Sequence, residues 1–63
     1  MKVYYSDGIY YLSDKSDGMF KRLKITKENF DKLNDNPFDK QLASQLLEGA
    51  KKAGSPNYYQ VKI

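Results

Sequence analysis

Lys2-Val3-Tyr4-Tyr5-Ser6-Asp7-Gly8-Ile9-Tyr10-Tyr11-Leu12-Ser13 is the stretch that decides the fold. Two runs rich in aromatic and branched side chains meet at Asp7-Gly8. That dipeptide tolerates the positive φ angles of a two-residue hairpin turn, whose twist matches the strands it joins. A turn of this length pairs Ser6 with Ile9, Tyr5 with Tyr10, Tyr4 with Tyr11 and Val3 with Leu12. Side chains alternate across a strand, so Val3, Tyr5, Tyr10 and Leu12 share one face, and Lys2, Tyr4 and Tyr11 share the other.

Beyond the hairpin, Asp14-Lys15-Ser16-Asp17-Gly18 has the composition of a turn. Met19–Ile25 alternates and reads as a third strand. A regular five-residue loop at 14–18 would set Arg22 opposite Tyr10 on the core side, where an unpaired guanidinium is too costly to bury. An even-length loop or a bulge near Ser13–Phe20 is therefore expected, returning Leu23 to the core. Lys21 then takes core-side parity, which requires this strand to lie at the sheet edge so that the ammonium reaches water.

Thr26 is the expected N-cap of a short helix at 27–33, with Glu28 in the first turn and Phe30 and Leu33 facing inward. Asn34-Asp35-Asn36 breaks it. Asn36 is expected to cap a second helix with Pro37 at its first position. Phe38, Leu42, Ala43, Leu46, Leu47, Ala50 and Ala53 form an apolar stripe at helical spacing. Gly49 lies inside the helix, at a cost of about 1 kcal/mol relative to alanine, and is expected to mark a place where it passes close to the sheet. Gly54, with Pro56 beyond it, ends the helix. Tyr58–Ile63 alternates again as a fourth strand.

The order is β-β-β-α-α-β in a single domain, 1–63. The fold class is α+β, a four-stranded antiparallel sheet with two helices on one face. The expected strand order is 3-2-1-4, the returning chain pairing with the free edge of the N-terminal strand.

Composition narrows the chemistry. The chain has 63 residues with 40% hydrophobic and 30% charged content, a globular balance. With no cysteine and no histidine, disulfides, zinc sites, thiol nucleophiles and imidazole catalysis are out of reach. No apolar run approaches the roughly 18 residues of a membrane span, and no leader opens the chain, so a soluble, cytoplasmic protein is expected. The net charge is +3, and residues 1–25 hold five bases against three acids while 26–54 hold five of each. Ten of the eleven bases are lysine; Arg22 is the only arginine, the residue type best suited to reading base edges.

The eight acids fall in turns or in the helical segment, where capping and solvation account for them. Asp14–Gly18 lacks the ligand alternation and distal glutamate of a calcium loop. No phosphate-binding glycine motif is present. The chain is thus expected to be no enzyme and to use no cofactor or metal.

Strand parity offers more. With Val3, Tyr5, Tyr10, Leu12, Leu23, Ile25, Tyr59, Val61 and Ile63 toward the helices, the opposite face carries Lys2, Tyr4, Tyr11, Phe20, Arg22, Lys24, Tyr58, Gln60 and Lys62. Lys2, Tyr4, Tyr11, Phe20, Arg22, Lys24, Tyr58 and Lys62 are the candidate partner-binding residues, with Tyr4, Tyr11 and Tyr58 exposed and close together. Rings supply contact area, and unopposed bases suit an anionic partner. The first expectation is a protein-binding module, an inhibitor or regulator of a larger protein such as a phage or mobile element encodes, docking on an acidic protein surface. The alternative is a weakly selective nucleic-acid binder using the same face. A third is a structural protein that oligomerises; a monomer or weak homodimer, with no membrane partner, is expected. The β-β-β-then-helix order with a basic sheet face is similar in outline to the small DNA-binding domains at the front of some phage-type integrases. That outline spans the first half of the chain and carries no specific motif.

Overall fold

Two Asp-Gly turns set the sheet. In the computed structural model, which describes residues 1–36 and 39–63, β1 (Lys2–Ser6), β2 (Ile9–Ser16) and β3 (Met19–Ile25) form an antiparallel meander. Asp7 and Gly8 have φ of 51° and 81°, and Asp17 and Gly18 have 53° and 72°. Both residues of each turn are therefore left-handed, the twist that suits a tight hairpin. The first hairpin has the expected register, from Val3 opposite Leu12 to Ser6 opposite Ile9.

The second turn is shorter than the composition of 14–18 implies. Asp14, Lys15 and Ser16 continue β2, and Asp17-Gly18 alone makes the turn, with Ser16 opposite Met19. Ser-Asp-Gly stands at 6–8 and again at 16–18, and it folds the same way both times. The loop is even in length, as the cost of burying Arg22 demands. Leu12 faces Leu23 in the core, at 1% and 6% exposure, and Arg22 pairs with Ser13 on the opposite face.

α1 (Lys27–Asp35) opens on Thr26, whose hydroxyl accepts from the Asn29 amide at 3.1 Å. Asn36 does not cap the second helix. Its amide donates to Lys32 O and closes α1. α2 (Lys40–Ala53) begins later, with the Asp39 carboxylate accepting from the Leu42 amide at 3.1 Å. Asp39 out-competes Asn36 because a charged acceptor at a helix N-terminus gains from the dipole as well as the hydrogen bond. The expectations for Pro37 and Phe38 lie outside the described residues. Gly54 ends α2 at φ 63° as the spacing implies.

Leu12, Leu23, Leu33, Ala43 and Leu47 form the buried core, with Val3, Ile25, Leu42, Leu46, Ala50 and Tyr58 packed around it. Phe30 of α1 meets Tyr10 at 4.7 Å between ring centres. Ala53 is exposed, so the stripe ends one turn early. A β-carbon on Gly49 would meet no atom within 4 Å, so this glycine marks no close approach to the sheet.

β4 (Tyr58–Lys62) pairs with β3, giving the order β1-β2-β3-β4 rather than 3-2-1-4. The helices explain the difference. α1 packs over β1 and β2, whereas α2 packs against β4. The chain leaving α2 therefore emerges beside β3, while the free edge of β1 lies two strands, about 10 Å, further on. Lys24 N donates to Asn57 O at 3.1 Å and Ile63 N to Gly18 O at 2.8 Å, extending the new ladder at both ends. β3 is thus an inner strand. Lys21 is half-buried there, with Asp14 opposite it on β2 and Gln60 on β4, so the expected place at a sheet edge is corrected.

Candidate functional site

Register decides what the helix-free face of the sheet carries. Tyr58 lies opposite Leu23, so it takes the core face; Gln60 and Lys62 share its parity. Tyr58 is half-buried against the core, and its hydroxyl donates to Gln60 Oε1 along that face. The expected positions of Tyr58 and Lys62 on the open face are therefore corrected. Tyr59 and Val61 stand there instead, opposite Arg22 and Phe20.

Lys2, Tyr4, Tyr11, Phe20, Arg22 and Lys24 lie on the open face as their parity implies. Lys15 and Ser13 join them once β2 runs on to Ser16. Among the described residues, the strand positions of this face hold four bases (Lys2, Lys15, Arg22, Lys24), four aromatics (Tyr4, Tyr11, Phe20, Tyr59) and no acid. The carboxylates of Asp7 and Asp17 are in turns, and Asp14 has the parity of the helix side.

The rings interlock across all four strands. Tyr4 and Tyr11 stack with centres 5.0 Å apart and planes 21° from parallel. The Arg22 guanidinium carbon lies 5.2 Å from the centre of Tyr11 and 5.2 Å from that of Tyr59. Tyr59 in turn meets Phe20 edge-on at 6.5 Å, and Lys15 Nζ sits 6.0 Å from the Phe20 ring centre. A delocalised cation between two electron-rich ring faces is favourable, and arginine's planar group fits where lysine's point charge would not.

This packing changes the expected exposure. Tyr4 and Tyr11 are half-buried, not open, because each covers the other; Tyr59 remains 47% exposed. Since Tyr4 approaches Tyr11 from β1 and Arg22 approaches it from β3, neither face of the Tyr11 ring is free.

At the centre of the face Ser13 is buried, at 5% exposure. It is the short side chain in a row of long ones, between Lys2 and Arg22 across the strands and between Tyr11 and Lys15 along its own. The result is a shallow depression of about 470 Å³ lined by Met1, Lys2, Tyr4, Ser13, Lys15 and Phe20. A smaller hollow of about 240 Å³ lies between sheet and helices, around Leu12, Leu33, Asp39 and Ala43. Core side chains (Leu12, Leu33, Ala43) and polar ones (Asn34, Asp39, Lys40) line it together.

Two of the residues missed from sequence had a signal. The repeated Ser-Asp-Gly foretells a second two-residue turn, and that turn places Lys15 on the strand and Ser13 within it rather than at its end. Tyr59 had none, because Tyr58 and Tyr59 are equally aromatic and only the partner strand distinguishes them. Among the described residues, no helix is long and apolar enough to cross a membrane. Compared with protein-family models, with curated proteins and with solved structures, the chain matches none.

Proposed function

We propose that this chain is a small non-catalytic protein-binding module that docks on an acidic surface of a larger protein through its open sheet face, and so inhibits or regulates it. The observation that carries this reading is the way the rings stand. A surface that binds single-stranded nucleic acid offers free ring faces on which bases stack. Here Tyr11 is covered on both faces, and Arg22 covers one face of Tyr59. What is left exposed is lysine side chain and part of Tyr59, which suits the side chains of a protein partner. Tyrosine anchors of this kind give large contact area at small entropic cost.

Charge supports the same reading. The ion pairs among the described residues are Lys27–Asp31 and Glu28–Lys32, both on α1. Among the described residues Lys2, Lys15 and Lys24 have no ion-pair partner within 4.0 Å, so they are available to an anionic surface.

The test is affinity capture from the native host with nuclease-treated and untreated lysates, using the wild-type chain and Tyr59→Ser. Retention of a protein after nuclease treatment, weakened by about 1–3 kcal/mol in Tyr59→Ser, is the expected result. Capture that disappears with nuclease, together with a steep loss of oligonucleotide affinity as salt rises, would instead establish nucleic acid as the partner.

A further inference from the structure

We infer that the depression over Ser13 is a carboxylate site, taking one glutamate side chain of the partner as the central anchor of the docking face. This rests on the protein-binding reading above and names the chemistry at its centre. The floor is Ser13, a hydroxyl that can donate one hydrogen bond, held at 5% exposure by its larger neighbours. Lys2 and Lys15 border it, two ammonium groups with no carboxylate of this chain within ion-pair distance among the described residues. A carboxylate has two oxygens and accepts several hydrogen bonds, so one group can meet both ammoniums and the hydroxyl together.

The walls select the rest of the ligand. Met1, Tyr4 and Phe20 line the depression with apolar surface. The two methylenes of a glutamate fit against such walls, whereas aspartate's single methylene brings less apolar surface to them. Lys15 lies over the Phe20 ring, which keeps one ammonium near the rim before any ligand arrives. Arg22 does not compete for the carboxylate, because its guanidinium is held between Tyr11 and Tyr59 on the neighbouring strands. The site therefore relies on lysine point charges and a hydroxyl, and it makes no bidentate fork with its ligand.

The probe is a polyglutamate peptide, titrated into the isotope-labelled full chain while backbone amide shifts are followed. Lys15→Glu reverses one border charge. Ser13→Leu fills the floor; should it fail to fold, Lys15→Gln, at an exposed side chain, should weaken binding severalfold, and unchanged affinity there would overturn the proposal. Lys51→Glu makes the same charge change on α2, away from the sheet face. Shifts should centre on Lys2, Ser13 and Lys15, with Lys15→Glu and Ser13→Leu each weakening binding by about tenfold and Lys51→Glu by less than about twofold.

Equal losses in Lys15→Glu and Lys51→Glu would overturn the proposal, since binding would then follow net charge alone. Unchanged affinity in folded Ser13→Leu would overturn it too, as would tighter binding of an oligothymidylate of matched charge through the same residues. The wider reading fails separately. If native capture ignores Tyr59→Ser while polyglutamate binding still depends on Ser13, the docking face is wrong and the carboxylate site stands. The converse pattern removes the site and keeps the face.

Discussion

Replacing Arg22 with glutamine should cost more stability than a surface substitution normally does. Its guanidinium carbon lies 5.2 Å from the centres of both Tyr11 and Tyr59, so two cation–π contacts are lost at once. At partly exposed sites each is worth about 0.5–1 kcal/mol, giving about 1–2 kcal/mol for the pair. Glutamine's shorter stem also leaves part of both ring faces to water. In a domain of this size 1 kcal/mol moves the midpoint by about 4–8 °C, so Tm should fall by roughly 5–15 °C. Circular dichroism melts and urea titrations of Arg22→Gln, Tyr59→Leu and the double variant form a mutant cycle. The expected coupling is about 0.5–1 kcal/mol, the value of the single contact the two residues share. Additive single-variant costs, with no coupling beyond error, would show that the guanidinium merely lies near the ring. Arg22→Lys should recover little, because the ammonium cannot lie flat between two rings.

Gly49→Ala should stabilise the chain by about 1 kcal/mol, since the position is helical and a β-carbon there meets open space; an unchanged or lowered urea midpoint would contradict this. Asp39→Ala removes the acceptor for the Leu42 amide and should cost about 1 kcal/mol by the same assay, whereas Asn36→Ala should cost clearly less if Asp39 is the true cap. Tyr4→Ser and Tyr11→Ser should each lower stability by more than the roughly 0.5 kcal/mol typical of a surface change, because the stack they form is half-buried. Equilibrium melts that leave both variants at the wild-type midpoint would return these rings to a purely recognition role.

The elements were legible wherever local chemistry determined them. Asp7-Gly8, Thr26 and Gly54 act on residues within one turn of themselves, so a reading of neighbours suffices. The even loop before β3 was legible for a different reason. Only one parity puts Leu23 in the core and Arg22 out of it, and a buried guanidinium is costly enough to settle the choice. Strand order was not legible, because it depends on which half of the sheet each helix covers. Tyr58–Lys62 alternates equally well in either phase, with an aromatic at both of its first two positions. Pairing with β3 fixed the phase, moved Tyr58 and Lys62 to the helix side, and gave Arg22 its second ring. Tyr4, Tyr11 and Phe20 of the aromatic ladder were thus visible in strand parity, and Tyr59 came only with topology.

That ladder has a consequence for how the open face can bind. Among the described residues the buried core is Leu12, Leu23, Leu33, Ala43 and Leu47, all on the helix side of the sheet. A domain this small returns little net stability from such a core. The side chains on the far side must therefore contribute, and Tyr4, Tyr11, Arg22 and Tyr59 do so by packing on one another across four strands. Groups already committed to that packing move little when a partner arrives, so little ordering entropy is left for binding to remove. The groups still free to make new bonds are Lys2, Lys15 and Lys24, with the exposed part of Tyr59. On the proposed reading, ring and arginine hold the platform, and the lysines around Ser13 do the recognising. A partner that needed Tyr11 to turn out and stack would have to break two contacts first, one with Tyr4 and one with Arg22.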